Sequence, residues 1–245
     1  MDQPNTPSEL PTDVSETKDL SIAQKITGVF FAPGSTFAQL ERKPDWWVPL
    51  AMIVLVTFVF TYFVLPISLP EQMAKQEEKM EERGMNYEQI EKAMAMGEKF
   101  GRFTGLIGAA VGPGIGLVLV SLFFWFVGNV VLRGQTTFLK MFSVCTYTGL
   151  IGVLEMLIKL PLILIKKTAD IQLNFTGFLS EELSETWFAE IVQALDVFAI
   201  WQYAVLAIAF TVLYKFSLTK SAWTMAILFL LSATIGIVFR QLTGT

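Results

Sequence analysis

Five stretches of this chain are long enough, apolar enough and poor enough in charge to cross a bilayer as helices. Trp47 to Leu65 and Phe103 to Leu132 carry no charged side chain. Met141 to Ile165 is interrupted by Glu155 and Lys159, and Val197 to Tyr214 and Ser221 to Phe239 complete the set. A bilayer core takes about 20 predominantly apolar helical residues. In lipid every backbone polar group must be satisfied internally, which leaves helices and closed barrels. These runs lack the alternation of barrel strands and are far too long for them. The expected fold is therefore an all-α integral membrane protein with five transmembrane helices. Phe103 to Leu132 exceeds what one crossing needs, so it is expected to tilt or to begin outside the hydrocarbon. The last two runs are separated only by Lys215 to Lys220, which makes them an antiparallel hairpin. Five crossings put the two termini on opposite faces.

Composition agrees and narrows the function. Of 245 residues, 53% are hydrophobic and 16% charged, with a mean hydropathy of +0.54, more apolar than a soluble domain of this length needs. The mild net charge of −4 comes without a dense basic tract, so no nucleic-acid partner is expected. With no histidine and a single cysteine, Cys145, the chain has no intramolecular disulfide, no cysteine zinc cage and no histidine-based acid–base chemistry. No cofactor or metal is expected. Met73, Met80, Met85, Met94 and Met96 are irregularly spaced among Glu and Lys, a solvated helical face rather than a copper(I) site.

Outside the spans, residues 1–20 are polar and rich in Pro, Ser, Thr, Asp and Glu. They read as a disordered tail and not a signal peptide, and 21–245 as one membrane domain. Ile22, Ile26, Val29 and Phe30 recur at helical spacing, predicting a short amphipathic helix on the membrane surface that stops at Ala32-Pro33-Gly34. Lys43-Pro44-Asp45-Trp46-Trp47 reads as a turn that brings interfacial tryptophans into the first span. Segment 70–102, broken at Arg83-Gly84-Met85-Asn86, reads as a polar helical hairpin outside the bilayer, between the first two spans. Leu179, Leu183, Trp187 and Ile191 predict a second interfacial helix. Lys and Arg nearly balance on the two faces. Arg42 and Lys43 before the first span point to a cytoplasmic N-terminus.

Few residues invite a functional reading. Glu155 and Lys159, one turn apart in the third span, can pair directly. Each alone in lipid costs about 2.5–3.5 kcal/mol on insertion scales, so both are expected to face protein or water. They are either an ion or substrate pathway or a structural pair that locks the bundle, and the second is the preferred reading. Asp196 opens the fourth span as an interfacial residue, and Asn129 is placed to hydrogen-bond another helix. Gly108, Gly112 and Gly116 leave one face of the second span without side chains, where another helix can pack closely. A broken helix at Gly112-Pro113-Gly114, lining a site as in transporters, is the alternative. The GxSxG, HExxH and GxxxxGK[ST] signatures are missing, as are paired intramembrane aspartates, so no enzyme is expected.

Val29-Phe30-Phe31-Ala32-Pro33-Gly34, followed by Phe37 and by Lys43-Pro44 ahead of an apolar span, resembles the N-terminal signature of prokaryotic Yip-domain proteins. Asp196-Val197-Phe198-Ala199-Ile200-Trp201 is similar to that family's Asp-hydrophobic-Phe-x-x-Trp pattern, and the Gln72-Met73 and Gly84-Met85 loop fits as well. The resemblance covers about residues 22–240. It implies five helices and a cytoplasmic N-terminus, here in a bacterial plasma membrane. Eukaryotic relatives contact Rab-type GTPases through an Asp-Leu-Tyr-Gly-Pro motif. Phe30-Phe31-Ala32-Pro33 keeps only its proline, so Rab binding is not carried over. Two functions follow as expectations. One is a non-enzymatic protein that organises lipids, membrane-protein partners or further copies of itself. The other is a small transporter or channel with Glu155, Lys159 and Asn129 in a cavity.

Overall fold

The computed structural model describes residues 19–171, 173, 192 and 196–243. Secondary structure among them is helical, and five helical stretches are long and apolar enough to span a membrane. The chain is an all-α integral membrane protein.

Two short helices precede the first span. Helix α1 (Ile22–Phe31) starts at a capping box in which Ser21 Oγ accepts from the Gln24 amide (3.3 Å) and Gln24 Oε1 from the Ser21 amide (2.9 Å). It ends at Ala32, as Pro33-Gly34 predicts. The same proline then opens α2 (Pro33–Arg42), because at the first helical position its fixed φ fits and its missing N–H costs nothing. The sequence reading stopped one helix short here. Nor does α1 simply lie on a lipid surface, since Val29, Phe37 and Leu40 are fully buried in the core. A Cβ on Gly28 would collide with the Thr36 hydroxyl, so glycine there lets α1 and α2 close on each other.

Helices α3 (Trp47–Glu82) and α4 (Tyr87–Phe126) are far longer than the apolar runs inside them. At 1.5 Å per residue they extend about 54 and 60 Å, against a hydrocarbon core of about 30 Å. The polar segment 70–102 is the expected helical hairpin, and each half of it continues its span without a break, through Pro66 and Pro70 in α3. Glu, Lys, Gln and Met are good helix formers, so only the solvent changes where the composition does. Gly84 turns the chain at φ 72°, and Asn86 caps α4 through its own box with Gln89. The two helices come close at Gly101, whose added Cβ would lie 2.8 Å from Leu69, and at Gly105, 3.2 Å from Leu65.

Helix α4 runs into a π-helical turn, Val127–Val131, where the Leu132 amide donates to the Val127 carbonyl (2.9 Å). The third span is not one helix. It is α5 (Phe138–Thr148) and α6 (Leu150–Lys166), interrupted at Gly149 beside Ile53. Helix α7 (Val197–Tyr214) has the expected bounds and is the most enclosed of the five spans, with Leu206, Ala209 and Phe210 among its buried residues. Helix α8 (Leu218–Thr243) packs along α7, joined by a Tyr203–Ser232 hydrogen bond of 3.0 Å. In the bundle α3 lies between α4 and α6, and α5 and α2 both lean on α7. The interfacial helix expected around Leu179 to Ile191 lies outside the described residues, as does the tail up to residue 18. Asp19, placed in that tail by the sequence reading, accepts a hydrogen bond from Gln39 (2.7 Å).

Candidate functional site

Among the described residues, several polar clusters and a cavity interrupt the apolar packing of the bundle. In α6 the Lys159 ammonium donates to Glu155 Oε1 at 2.5 Å, and each side chain is 23% exposed. The two charges answer each other one turn apart on a single helix, and neither lines the cavity described below. Next to Glu155, the Thr57 hydroxyl on α3 points to the Met156 sulfur (3.8 Å) across the α3–α6 contact.

Asn129 and Asp196 act on the backbone. Asn129, in the π-helical turn, donates from Nδ2 to the Thr136 carbonyl (2.8 Å) and accepts from the Thr136 amide (3.3 Å). The Trp125 indole donates to the same carbonyl at 3.0 Å. The side chain therefore closes the loop into α5 and does not bridge to another helix, as its place in the span had implied. The π-turn supplies the geometry, because Gly128 leaves room for the Tyr214 ring, which a Cβ would strike. Asp196 is the N-cap of α7 and accepts from the amides of Phe198 (2.8 Å) and Ala199 (3.0 Å).

The cluster that sequence reasoning missed joins the N-terminal helices to the bundle. Lys25, buried in α1, pairs with Asp45 ahead of the first span, and the Tyr147 hydroxyl of α5 donates to the other Asp45 oxygen at 2.6 Å. Glu41 of α2 similarly meets Lys215 (3.2 Å) and Lys140 (3.7 Å). One signal was readable. Lys25 sits on the apolar face of α1, between Ile22 and Val29 at helical spacing, where a lysine needs a partner. Which partner could not be read, since Asp45 lies 20 residues away and Tyr147 a further 102.

The glycine face divides. A Cβ added at Gly108, Gly112 or Gly116 would meet nothing within 4 Å, so among the described residues no helix packs on that stripe. The close approach uses Gly101 and Gly105, one and two turns earlier. Gly116 instead borders a cavity of about 370 Å3 among α3, α4, α5, α6 and α7. Its walls include Ile53, Leu117, Phe124 and Leu206, with Thr57, Thr148 and Gln202 as polar groups and no charged residue. Thr148 is 3% exposed and its hydroxyl has no hydrogen-bond partner among the described residues.

The Yip1 domain family model matches residues 27–239, nearly the whole described bundle. The chain is similar to membrane protein YknW of Bacillus subtilis (strain 168), at 26% identity over 203 residues that cover 82% of this chain and 83% of that protein. No solved structure matches. With α2, the second half of α1 and all five spans inside the matched region, this chain belongs to the Yip1 domain family.

Proposed function

We propose that this Yip1-domain protein is a non-enzymatic organiser of the membrane, which holds partner proteins or lipids through the α3–α4 hairpin. The observation that carries this reading is the continuity of the two helices past the bilayer. A helical stalk of some 16 residues a side reaches about 25 Å from the hydrocarbon. Among the described residues its ion pairs are local, as Lys92 with Glu88 at 2.6 Å, both side chains about three-quarters exposed, and only at its base does Glu71 accept from the distant Ala169 amide (3.2 Å). Such a surface is free to bind. The transporter reading has less support, because Glu155 and Lys159 neutralise each other, Asn129 is spent on the loop, and the cavity carries no charge.

The same reading places the N-terminus in the cytoplasm of a bacterial cell and the stalk on the outer face of the plasma membrane. Arg42 and Lys43 ahead of the first span support this orientation. A cysteine at Gly84 in a Cys145→Ala background is then labelled by membrane-impermeant maleimide in intact cells. Labelling only after lysis reverses the orientation.

Purification in nanodiscs, with co-purifying proteins and lipids identified by mass spectrometry, tests the organising role. A specific partner is retained by the wild type and by Glu155→Gln/Lys159→Met, and is lost when Glu77, Glu78, Glu81 and Glu82 are changed to lysine. If nothing co-purifies specifically and the intramembrane double variant abolishes a solute or proton flux in liposomes, the protein is a transporter instead.

A further inference from the structure

We infer that Arg133 and Lys220 form a docking site for the phosphate of an anionic glycerophospholipid, phosphatidylglycerol, at the end of the bundle opposite the stalk. Among the described residues the carboxylates at this end are engaged: Asp45 with Lys25, Glu41 with Lys140 and Lys215, and Asp19 with Lys43. Arg133 and Lys220 are both exposed, and neither has a carboxylate partner among the described residues. Each is the first charge beyond an apolar run, Arg133 after Leu132 and Lys220 ahead of Ser221. That sets both at the level of the lipid headgroups.

The two residues come from different loops and meet at one aromatic ring. The Lys220 ammonium lies 3.7 Å from the centroid of the Phe216 ring. Gly134 packs on the same ring, where an added Cβ would lie 3.0 Å from Phe216 Cζ. Arg133 Cα, one residue away, is therefore within about 14 Å of that ammonium. An extended arginine side chain and one phosphate span the gap, the guanidinium forking onto the phosphate oxygens and the ammonium adding a point charge. Arg133 is also held in place. It stands at φ 57°, which a residue other than glycine rarely adopts, in a loop fixed by Asn129 and by the Gly134 amide donating to the Gly128 carbonyl (2.8 Å). Glycine would make that turn without strain, so what arginine adds there is its side chain. Two unanswered positive charges converge here, and one anion answers both. No carboxylate is left to receive an ammonium headgroup, which favours phosphatidylglycerol over phosphatidylethanolamine. The source is a lipid and not free phosphate, because α8 continues the site into the membrane. Leu218, Thr219, Ala222, Trp223 and Ala226 line an open groove of about 460 Å3 there, with Trp223 68% exposed, along which an acyl chain can lie.

The site sits at the far end of α4 from the stalk, so it and the organising role fail independently. The full chain in detergent is titrated with phosphatidylglycerol and with phosphatidylethanolamine, and bound lipids are counted by native mass spectrometry. One phosphatidylglycerol binds in preference, and excess inorganic phosphate does not displace it. Lys220→Gln lowers its affinity roughly five-fold, the effect of one basic residue at an anionic lipid. Arg133→Gly does the same while the melting temperature holds or rises, because the turn is relieved of strain. An arginine that served only the turn would leave lipid binding alone. The double variant lowers affinity roughly 25-fold, and Lys92→Gln on the stalk leaves it unchanged. Should Arg133→Gly fail to fold, Lys220→Gln decides alone. Equal binding of the two lipids, displacement by inorganic phosphate, or wild-type affinity in either folded single variant overturns the proposal.

Discussion

The N-terminal helices and the α3–α4 stalk are both built from short runs of charged and apolar residues, yet they use charge in opposite ways. Around α1 and α2 the pairs reach across the sequence and each has a buried or half-buried member: Lys25 with Asp45 and Tyr147, and Glu41 with Lys140 and the more exposed Lys215. On the stalk, Glu88–Lys92 and Glu98–Arg102 pair across a single exposed turn. The first arrangement ties elements together and the second leaves a surface available. Residue type alone does not separate the two. Burial and sequence separation do.

The largest test of this contrast is Asp45→Asn, which leaves Lys25 buried with a neutral partner. It is expected to destabilise the protein by about 3 kcal/mol in detergent unfolding, since removing one member of a buried pair strands the other. Lys25→Met/Asp45→Asn should recover most of that loss. If the single variant unfolds like the wild type, the N-terminal cluster is no more structural than the stalk. Glu155→Gln is the intermediate case, local in spacing but inside the membrane. It should cost about 2 kcal/mol, below the figure for an unpaired central charge because Lys159 lies near the end of its helix. Adding Lys159→Met should reverse the effect.

Two smaller comparisons concern the stalk and its root. Gly112→Ala meets open space and gains helix propensity, whereas Gly101→Ala must displace Leu69. Gly112→Ala is therefore expected to be the more stable by about 1 kcal/mol in the same assay. Glu88→Gln, which breaks an exposed pair, should shift stability by less than about 0.5 kcal/mol. The finest test is pH. The hydrogen bond from Gln39 and the nearby Lys43 hold the Asp19 carboxyl below its usual 3.8. A depressed folded value adds stability above the unfolded pKa, and that stability is lost as pH falls through the folded one. The stability difference between wild type and Asp19→Asn should therefore be present at neutral pH and vanish in the window below about 4. A difference that persists at lower pH would assign it to packing.

Much of the fold was legible because membrane spans announce themselves by length and hydropathy. Val197–Tyr214 agrees with its apolar run to the residue, since Asp196 caps one end and Lys215 turns left-handed (φ 56°) at the other. The stalk was half legible. Its turn at Gly84 and Asn86 was plain, but continuity with the spans was not, because a change of solvent looks in sequence like a change of element. The break at Gly149 had no local signal strong enough to divide an apolar run. Glu155 and Lys159 were read as a pair from their spacing alone. The Lys25–Asp45–Tyr147 cluster was not, because such a contact is specified only by tertiary packing. Asn129 was placed on the wrong partner for a related reason, as nothing in the run from Phe103 foretells the π-turn that aims it at Thr136.

The N-terminal helices also set an order of assembly. Their buried faces are completed by α5 and α7, with Phe30 against Trp201 at 5.8 Å, and Glu41 meets Lys215 across 174 residues of chain. At ribosomal speeds of about 5–20 residues per second, that partner emerges roughly 10–35 s after Glu41 does. Until then Val29, Phe37 and Leu40 are covered at most by each other and by α5, and the rest of the amphipathic face must shelter at the membrane surface. The helix that the sequence alone would lay on the bilayer is a fair description of this segment before α7 arrives.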